Sequence, residues 1–245
     1  MILILLRSAL FNLAFFGWTI LLLLAGLPLL LVPRRAIHSL GALWARGTLL
    51  LLRVLVGARL EVRGALAPGA RLVAAKHQSA LDTMLFYLLA HDVAYVMKKE
   101  LAAIPIYGLF ARHQRMILVD RKAGASALKK LVADAAAARD EGRQIVIFPQ
   151  GTRTPPGAPA SAYPYQPGIV ALQHALRTPT TPVAINSGLV WGRRSFVKRP
   201  GCIVVEFLPE IPAGLQRAEF MRRLEESIEA ATARLEREAG AAAPS

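Results

Sequence analysis

Acidic side chains are scarce in this chain: 16 Asp and Glu face 30 Lys and Arg in 245 residues, for a formal net charge of +14. Such a surface attracts phosphates, whether on lipid head groups, on a nucleotide-containing cofactor or on nucleic acid. The nucleic-acid option is the weakest of the three, because no recognition motif for it appears. Cysteine is all but missing, and the lone Cys202 excludes an intramolecular disulfide and fits a reducing compartment. There is no internal repeat and no Gly-x-Ser-x-Gly elbow, which removes the usual framework for a serine nucleophile. His38, His91, His113 and His174 fall at no metal-ligand spacing, so no metal is expected and they read as ordinary loop or helix residues.

Charge is also absent from Ser8 to Pro33, 26 residues whose only polar members are Ser8, Asn12 and Thr19. That length reaches across a hydrocarbon core of about 30 Å, so membrane contact is expected. The stretch runs on to Pro33-Arg34-Arg35 without an Ala-x-Ala pattern, which argues for a retained segment rather than a cleaved signal peptide. Gly26 and Pro28 interrupt its second half, and proline inside a helix removes a backbone bond. A single tilted span and a helix that enters and turns back both remain open. Residues 36–57 read as a second helix, with Arg35, Arg46 and Arg53 on one face among leucines and valines. Two readings fit: an amphipathic helix at the lipid interface, or a core helix with a solvated arginine edge. Arginines directly after the first apolar stretch put the following domain at the cytoplasmic face of the inner (plasma) membrane.

After Gly57 short β-rich runs alternate with helical ones. Strands are expected near 60–62, 71–75, 93–97, 116–119, 144–148, 182–185 and 203–207, and helices near 80–89, 123–141, 168–176 and 216–238. The alternation predicts an α/β fold, a mixed sheet flanked by helices, with ligand groups on the loops at strand ends. Two parts result: membrane-associating helices over 1–57 and an α/β domain over 58–240. Residues 240–245 read as a frayed tail. The segment Thr152–Pro167, rich in Pro, Gly and Ala, reads as a loop that forms a flap over the site.

Two runs carry candidate chemistry, Lys76-His-Gln-Ser-Ala-Leu-Asp-Thr83 and Phe148-Pro-Gln-Gly-Thr-Arg153. A spacing of five on a continuous helix turns side chains about 140° apart, so His77 meets Asp82 only if it precedes the helix. Lys76 ends an expected strand and Ser79 is placed to cap the helix, which puts Asp82 in the first turn and lets the loop fold His77 back onto it. The plain alternative is a capping box in which Ser79 and Asp82 satisfy backbone donors. Capping and catalysis are compatible, since a carboxylate has several acceptor sites. In the catalytic reading Asp82 orients the imidazole, and the other ring nitrogen takes the proton of an alcohol attacking an acyl carbonyl. With no serine elbow, and with Cys202 in an expected strand, direct transfer in a ternary complex is favoured over a covalent acyl-enzyme. A further run, Trp191 to Arg199, interleaves four positive charges with two aromatics, which suits a lipid interface and a solvated loop equally.

In these blocks the chain resembles the glycerolipid acyltransferase family, in particular its 1-acylglycerol-3-phosphate acyltransferases. The first block is His77-x4-Asp82. The second is matched by Met97-Lys-Lys-Glu-Leu, Ile104-Pro, Gly108 and Ile117-Leu-Val-Asp-Arg121, the third by Phe148-Pro-Gln-Gly-Thr-Arg153, and the fourth by Thr181-Pro-Val-Ala184. They occur in the family's order over about residues 70–190, and four ordered blocks are far more specific than any one.

The resemblance implies a glycerol-3-phosphate acyltransferase-like fold and a fatty acyl transfer to the sn-2 hydroxyl of lysophosphatidic acid, giving phosphatidic acid. The acyl donor is then acyl-CoA or acyl-carrier protein, with no separate cofactor, and the partners are membrane lipid and no nucleic acid. By the same resemblance His77 is the base and Asp82 its partner, while Arg121 and Arg153 hold the acceptor's phosphate. Thr152 belongs to the same binding block, Gly151 lets the backbone turn closely beside a ligand, and Pro182 shapes the pocket. The family usually has glutamate where this chain has Gln150, which keeps a hydrogen bond to glycerol but loses the charge. That departure leaves two alternatives open: another lyso-lipid acceptor, or a catalytically decayed membrane-binding module.

Overall fold

The uncharged N-terminal run is helical from its start: in the computed structural model, which describes residues 1–241, α1 spans Ile2–Ala25. At Gly26 and Pro28 it tightens into a 3-10 turn, Leu27–Leu31. α2 spans Arg35–Leu51 and continues through a π-helical stretch, Leu52–Val56, to Gly57. Trp18 lies against Gly47 and Gly26 against Leu40, so the two helices form an antiparallel hairpin. Each is long and apolar enough to cross a membrane. α2 buries Ile37, Ala42, Ala45 and Thr48, and turns Arg35, Arg46 and Arg53 outward beside exposed Leu43, Leu50 and Val54. One face is therefore core and the other mixes arginine with exposed leucine. α1 likewise leaves Leu6, Leu10, Leu13 and Phe16 exposed, an apolar surface of the kind that marks a membrane or protein contact.

The rest is the expected α/β domain. In chain order it contains β1 (Ala58–Arg63), β2 (Arg71–Ala75), α3 (Asp82–Leu89), β3 (Val93–Lys98), α4 (Tyr107–His113) and β4 (Ile117–Val119). There follow α5 (Gly124–Asp140), β5 (Gln144–Ile147), α6 (Gly168–Leu176), β6 (Thr180–Ile185), β7 (Gly201–Phe207) and α7 (Arg217–Ala241). The sheet order is β1-β7-β6-β2-β5-β3-β4, and every pair is parallel except β6–β7, so the sheet is mixed. Val73, Val146 and Val183 pack into the layer of α1, α2 and α3, whereas Leu72, Ala74, Ile145 and Ile147 pack with α5, α6 and α7. Successive side chains of a strand face opposite ways, and a sheet covered on both faces is apolar on both.

Three local departures from expectation have physical causes. α4, and the 3-10 turn Lys99–Ala103 before it, are too short to display a helical period. β6 opens at Thr180, so Pro182 is its third residue rather than its first. Its missing N–H is tolerated because the pairing with β7 slips there by one residue, between Thr180↔Ile211 and Val183↔Phe207, as at a bulge. α7 runs through Gly240 to Ala241, while the remainder of the expected tail, 242–245, lies outside the described residues.

A Cβ at Gly108 would sit 2.1 Å from the Ala102 carbonyl oxygen. Gly108→Ala is expected to cost about 1–3 kcal/mol by overpacking, read as a lower midpoint of urea unfolding.

Candidate functional site

β2 ends at Ala75, but its ladder continues for one residue, Lys76 N–H donating to the Val183 carbonyl at 2.9 Å. The strand alternation therefore still applies where the chemistry begins: Lys76 points to the α7 side and His77 to the other. His77 Nδ1 lies 2.9 Å from Asp82 Oδ2. A carboxylate accepts, so the proton belongs on Nδ1 and Nε2 carries the lone pair. Asp82 is fully buried, and the same Oδ2 accepts the backbone N–H groups of Gln78 at 2.7 Å and Ser79 at 2.8 Å. Its Oδ1 accepts the Ser187 hydroxyl. Ser79 does not cap the first turn of α3 as expected; its hydroxyl accepts the Leu81 N–H in a tight turn ahead of the helix. Orientation of the imidazole and satisfaction of the loop's amides thus share one carboxylate.

The second run seats the ring from the side. Phe148 stacks on His77 with centroids 4.1 Å apart and planes 21° apart, and the His77 carbonyl accepts the Thr154 N–H at 2.8 Å. Gly151 has φ +66°, and a Cβ there would lie 2.7 Å from Arg121 Nη2. A side chain would disfavour that backbone and displace the guanidinium resting on it.

His77, Arg121, Gly151, Thr152 and Arg153 all line one cavity of about 300 Å³. Its mouth is cationic, with the exposed or half-exposed Lys98, Arg121, Arg153, Arg193 and Arg194, and its depth is mainly apolar, with the half-buried or buried Trp44, Tyr87, Tyr95 and Met116 beside Gln114. No carboxylate lines it among the described residues. A second, smaller apolar hollow between α1 and α2 shares Trp44, Tyr87 and Tyr107 with it. Burial pushes the Tyr87 and Tyr95 phenols well up, so both keep their protons.

Two expected binding residues lie elsewhere. Gln150 is buried in the turn that follows β5, closed by the Gly151 N–H donating to the Phe148 carbonyl at 2.8 Å, and this turn aims it toward α7, its Nε2 3.3 Å from Glu229 and outside the cavity wall. Pro182 is buried inside β6 and is not part of the cavity wall. The segment Thr152–Pro167 is no flap either: it leaves the wall at Arg153 and packs onto α7 through Gly157 N–H to Glu236 at 2.9 Å and Tyr165 O–H to Glu229 at 2.9 Å. Among the described residues no group of three or more potential ligands could hold a metal ion.

Sequence reasoning missed the supports beneath the histidine. Lys76 Nζ lies 2.6 Å from Glu229, and Gln78 Nε2 donates to Glu236 at 2.6 Å, so both neighbours of His77 are tied to α7. Burial first, and then Glu229, push the Tyr165 phenol well up, which keeps it a donor. The available signal was two glutamates seven apart on one helix face, beside the apolar Leu224, Ile228 and Leu235.

The Acyltransferase family model matches residues 59–186. A 1-acyl-sn-glycerol-3-phosphate acyltransferase of Pseudomonas aeruginosa is 30% identical over 189 residues, 76% of this chain and 72% of that protein. An enzyme of the same name from Helicobacter pylori is 30% identical over 181 residues, 70% of this chain and 73% of that one. The crystal structure of the 1-acyl-sn-glycerophosphate acyltransferase of Thermotoga maritima covers 98% of each chain with a TM-score of 0.78 at 19% identity, the same fold from end to end.

Glu229→Gln leaves the buried Lys76 ammonium without a carboxylate, and a loss on the order of 3 kcal/mol is expected. Lys76→Met combined with Glu229→Gln is expected to lose less than the two single changes together, measured by a denaturation cycle.

Proposed function

The chain belongs to the Acyltransferase family, and from that premise we propose that it moves a fatty acyl group from a thioester to the sn-2 hydroxyl of 1-acylglycerol 3-phosphate, giving phosphatidic acid. The observation that carries the reading is the His77–Asp82 pair opening onto a cavity with a cationic mouth and an apolar depth. A lysophosphatidate has that polarity, an anionic phosphate at one end and hydrocarbon at the other. The relatives named above as acting on such an acceptor support the choice.

His77 Nε2 takes the proton of the acceptor hydroxyl as its oxygen attacks the thioester carbonyl carbon. Asp82 holds the ring in the tautomer that this requires and stabilises the imidazolium that forms. When the tetrahedral adduct collapses, the carbon–sulfur bond breaks and the imidazolium returns its proton to the leaving thiolate. Ester and free thiol are the products, so no residue is acylated and no cofactor or metal takes part. Arg121 and Arg153 clamp the acceptor phosphate, a task suited to planar, permanently charged guanidinium groups. Thr152 lines the same cavity. The donor is acyl-CoA or acyl-carrier protein, and both acyl chains enter from a membrane on which the α1–α2 hairpin rests, at the cytoplasmic face by the positive-inside tendency.

His77→Ala is expected to lose roughly a hundred- to ten-thousandfold in kcat while folding and binding vesicles normally; wild-type turnover by this variant ends the mechanism. Arg153→Gln is expected to raise KM for lysophosphatidate roughly tenfold with little change in kcat, and an unchanged acceptor dependence removes Arg153 from the clamp. Purified protein given labelled acyl-CoA and a panel of lyso-lipids is expected to prefer lysophosphatidate. Preference for an amino-acid-containing lyso-lipid would overturn the acceptor assignment, and turnover with none would favour a binding module.

A further inference from the structure

The cavity has more positive charge than one acceptor needs. Lys98, Arg121, Arg153, Arg193 and Arg194 converge on it with no carboxylate on its wall among the described residues, whereas a phosphate monoester carries at most about two negative charges. Like charges at a cavity mouth repel unless a counter-ion is shared among them.

Arg193 and Arg194 reach the mouth in a particular way. Ser195 N–H donates to the Gly192 carbonyl at 3.1 Å, which closes a turn whose two central residues are these arginines. Arg194 has φ +54°, at a position where glycine or asparagine is the unstrained choice. Strained backbone of this kind persists where surrounding structure imposes it, often at ligand sites.

The imposing structure here is α1. Trp191 is buried with its ring 5.3 Å from that of Phe11 and 5.1 Å from that of Phe15. Lys198 is buried too, its N–H donating to Ser8 Oγ at 2.9 Å and its ammonium to Asn12 Oδ1 at 2.8 Å. Asn12 Nδ2 donates to the Phe196 carbonyl at 3.0 Å. The run Trp191–Arg199 is therefore a turn pinned to α1 at both ends, which leaves Arg193, Arg194, Phe196 and Arg199 exposed. Arg193 also donates to the Arg153 carbonyl at 3.4 Å, which sets this turn against the wall of the acceptor clamp.

We propose that Arg193 and Arg194 form a second anion site, which binds the phosphate of the phosphopantetheine arm that delivers the acyl thioester. This rests on direct transfer as described above: donor and acceptor occupy the cavity together, so two anionic groups meet one cationic mouth. The shared ligand chemistry is the phosphopantetheine phosphate, present in coenzyme A and in acyl-carrier protein alike.

The test compares the wild type with Arg193→Gln/Arg194→Gln, at exposed positions whose change leaves the fold intact. With acyl-CoA and with acyl-phosphopantetheine, KM for the donor is expected to rise roughly ten- to hundredfold, and KM for lysophosphatidate to stay the same. With acyl-pantetheine, which lacks the phosphate, the two proteins should perform equally. An unchanged donor KM, an equal loss with acyl-pantetheine, or a loss confined to lysophosphatidate would each overturn the assignment. Weaker binding to phosphatidylglycerol vesicles with an unchanged donor KM would overturn it in favour of lipid head groups. A titration of coenzyme A against both proteins needs no turnover: loss of binding in the variant, in a protein inactive on lysophosphatidate, keeps this site and rejects the acceptor reading instead.

Discussion

A carboxylate withdrawn from water costs several kcal/mol unless donors replace its hydration, and Asp82 is fully buried. It receives the His77 imidazole, two successive loop amides and the Ser187 hydroxyl. Those four donors come from the loop after β2 and from the turn after β6, two strands adjacent in the sheet. Any shift of one strand against the other would strand the charge. The orientation of the His77 ring is thus secured by the same requirement that holds the centre of the fold together.

The two-residue alternation of the strand carries this order outward. Lys76 and His77 are neighbours in the chain and face opposite sides of the sheet, the first toward Glu229 and the second toward the cavity. Phe148 and Gln150 are divided in the same way by a turn rather than by alternation, the Gly151 N–H donating to the Phe148 carbonyl at 2.8 Å, so that one stacks on the imidazole and the other lies with Glu229. Each motif therefore has a working face and an anchoring face. The charge missing at Gln150 falls on the anchoring face, where Glu229 already supplies a carboxylate to Lys76, so its neutrality is no sign of decay in the working face.

The α1–α2 hairpin is joined to this site rather than appended to it. α2 contributes Trp44 to the apolar depth of the cavity, and α1 pins the turn that carries Arg193 and Arg194.

Much of this was legible in the linear order of residues. Periodicity gave the α/β alternation, the uncharged run gave the first helix of the hairpin and the arginine-edged stretch after it the second, and the spacing of His77 to Asp82 required a loop before a helix, as found. Arg121, Gly151, Thr152 and Arg153 were grouped only by the resemblance of their blocks to the acyltransferase family, and the fold brings them to one cavity. Gln150, Pro182 and the segment Thr152–Pro167 could not be placed that way. Which side a residue faces depends on how its strand ends and what lies across the sheet, and Glu229 and Glu236 of α7 lie 79 residues downstream of Gln150 and Gly157 respectively. Local pattern decided the elements and the chemistry each run offers. Only the tertiary structure decided which side chains share the cavity, because side-chain direction at a strand end is set by partners far away in the chain.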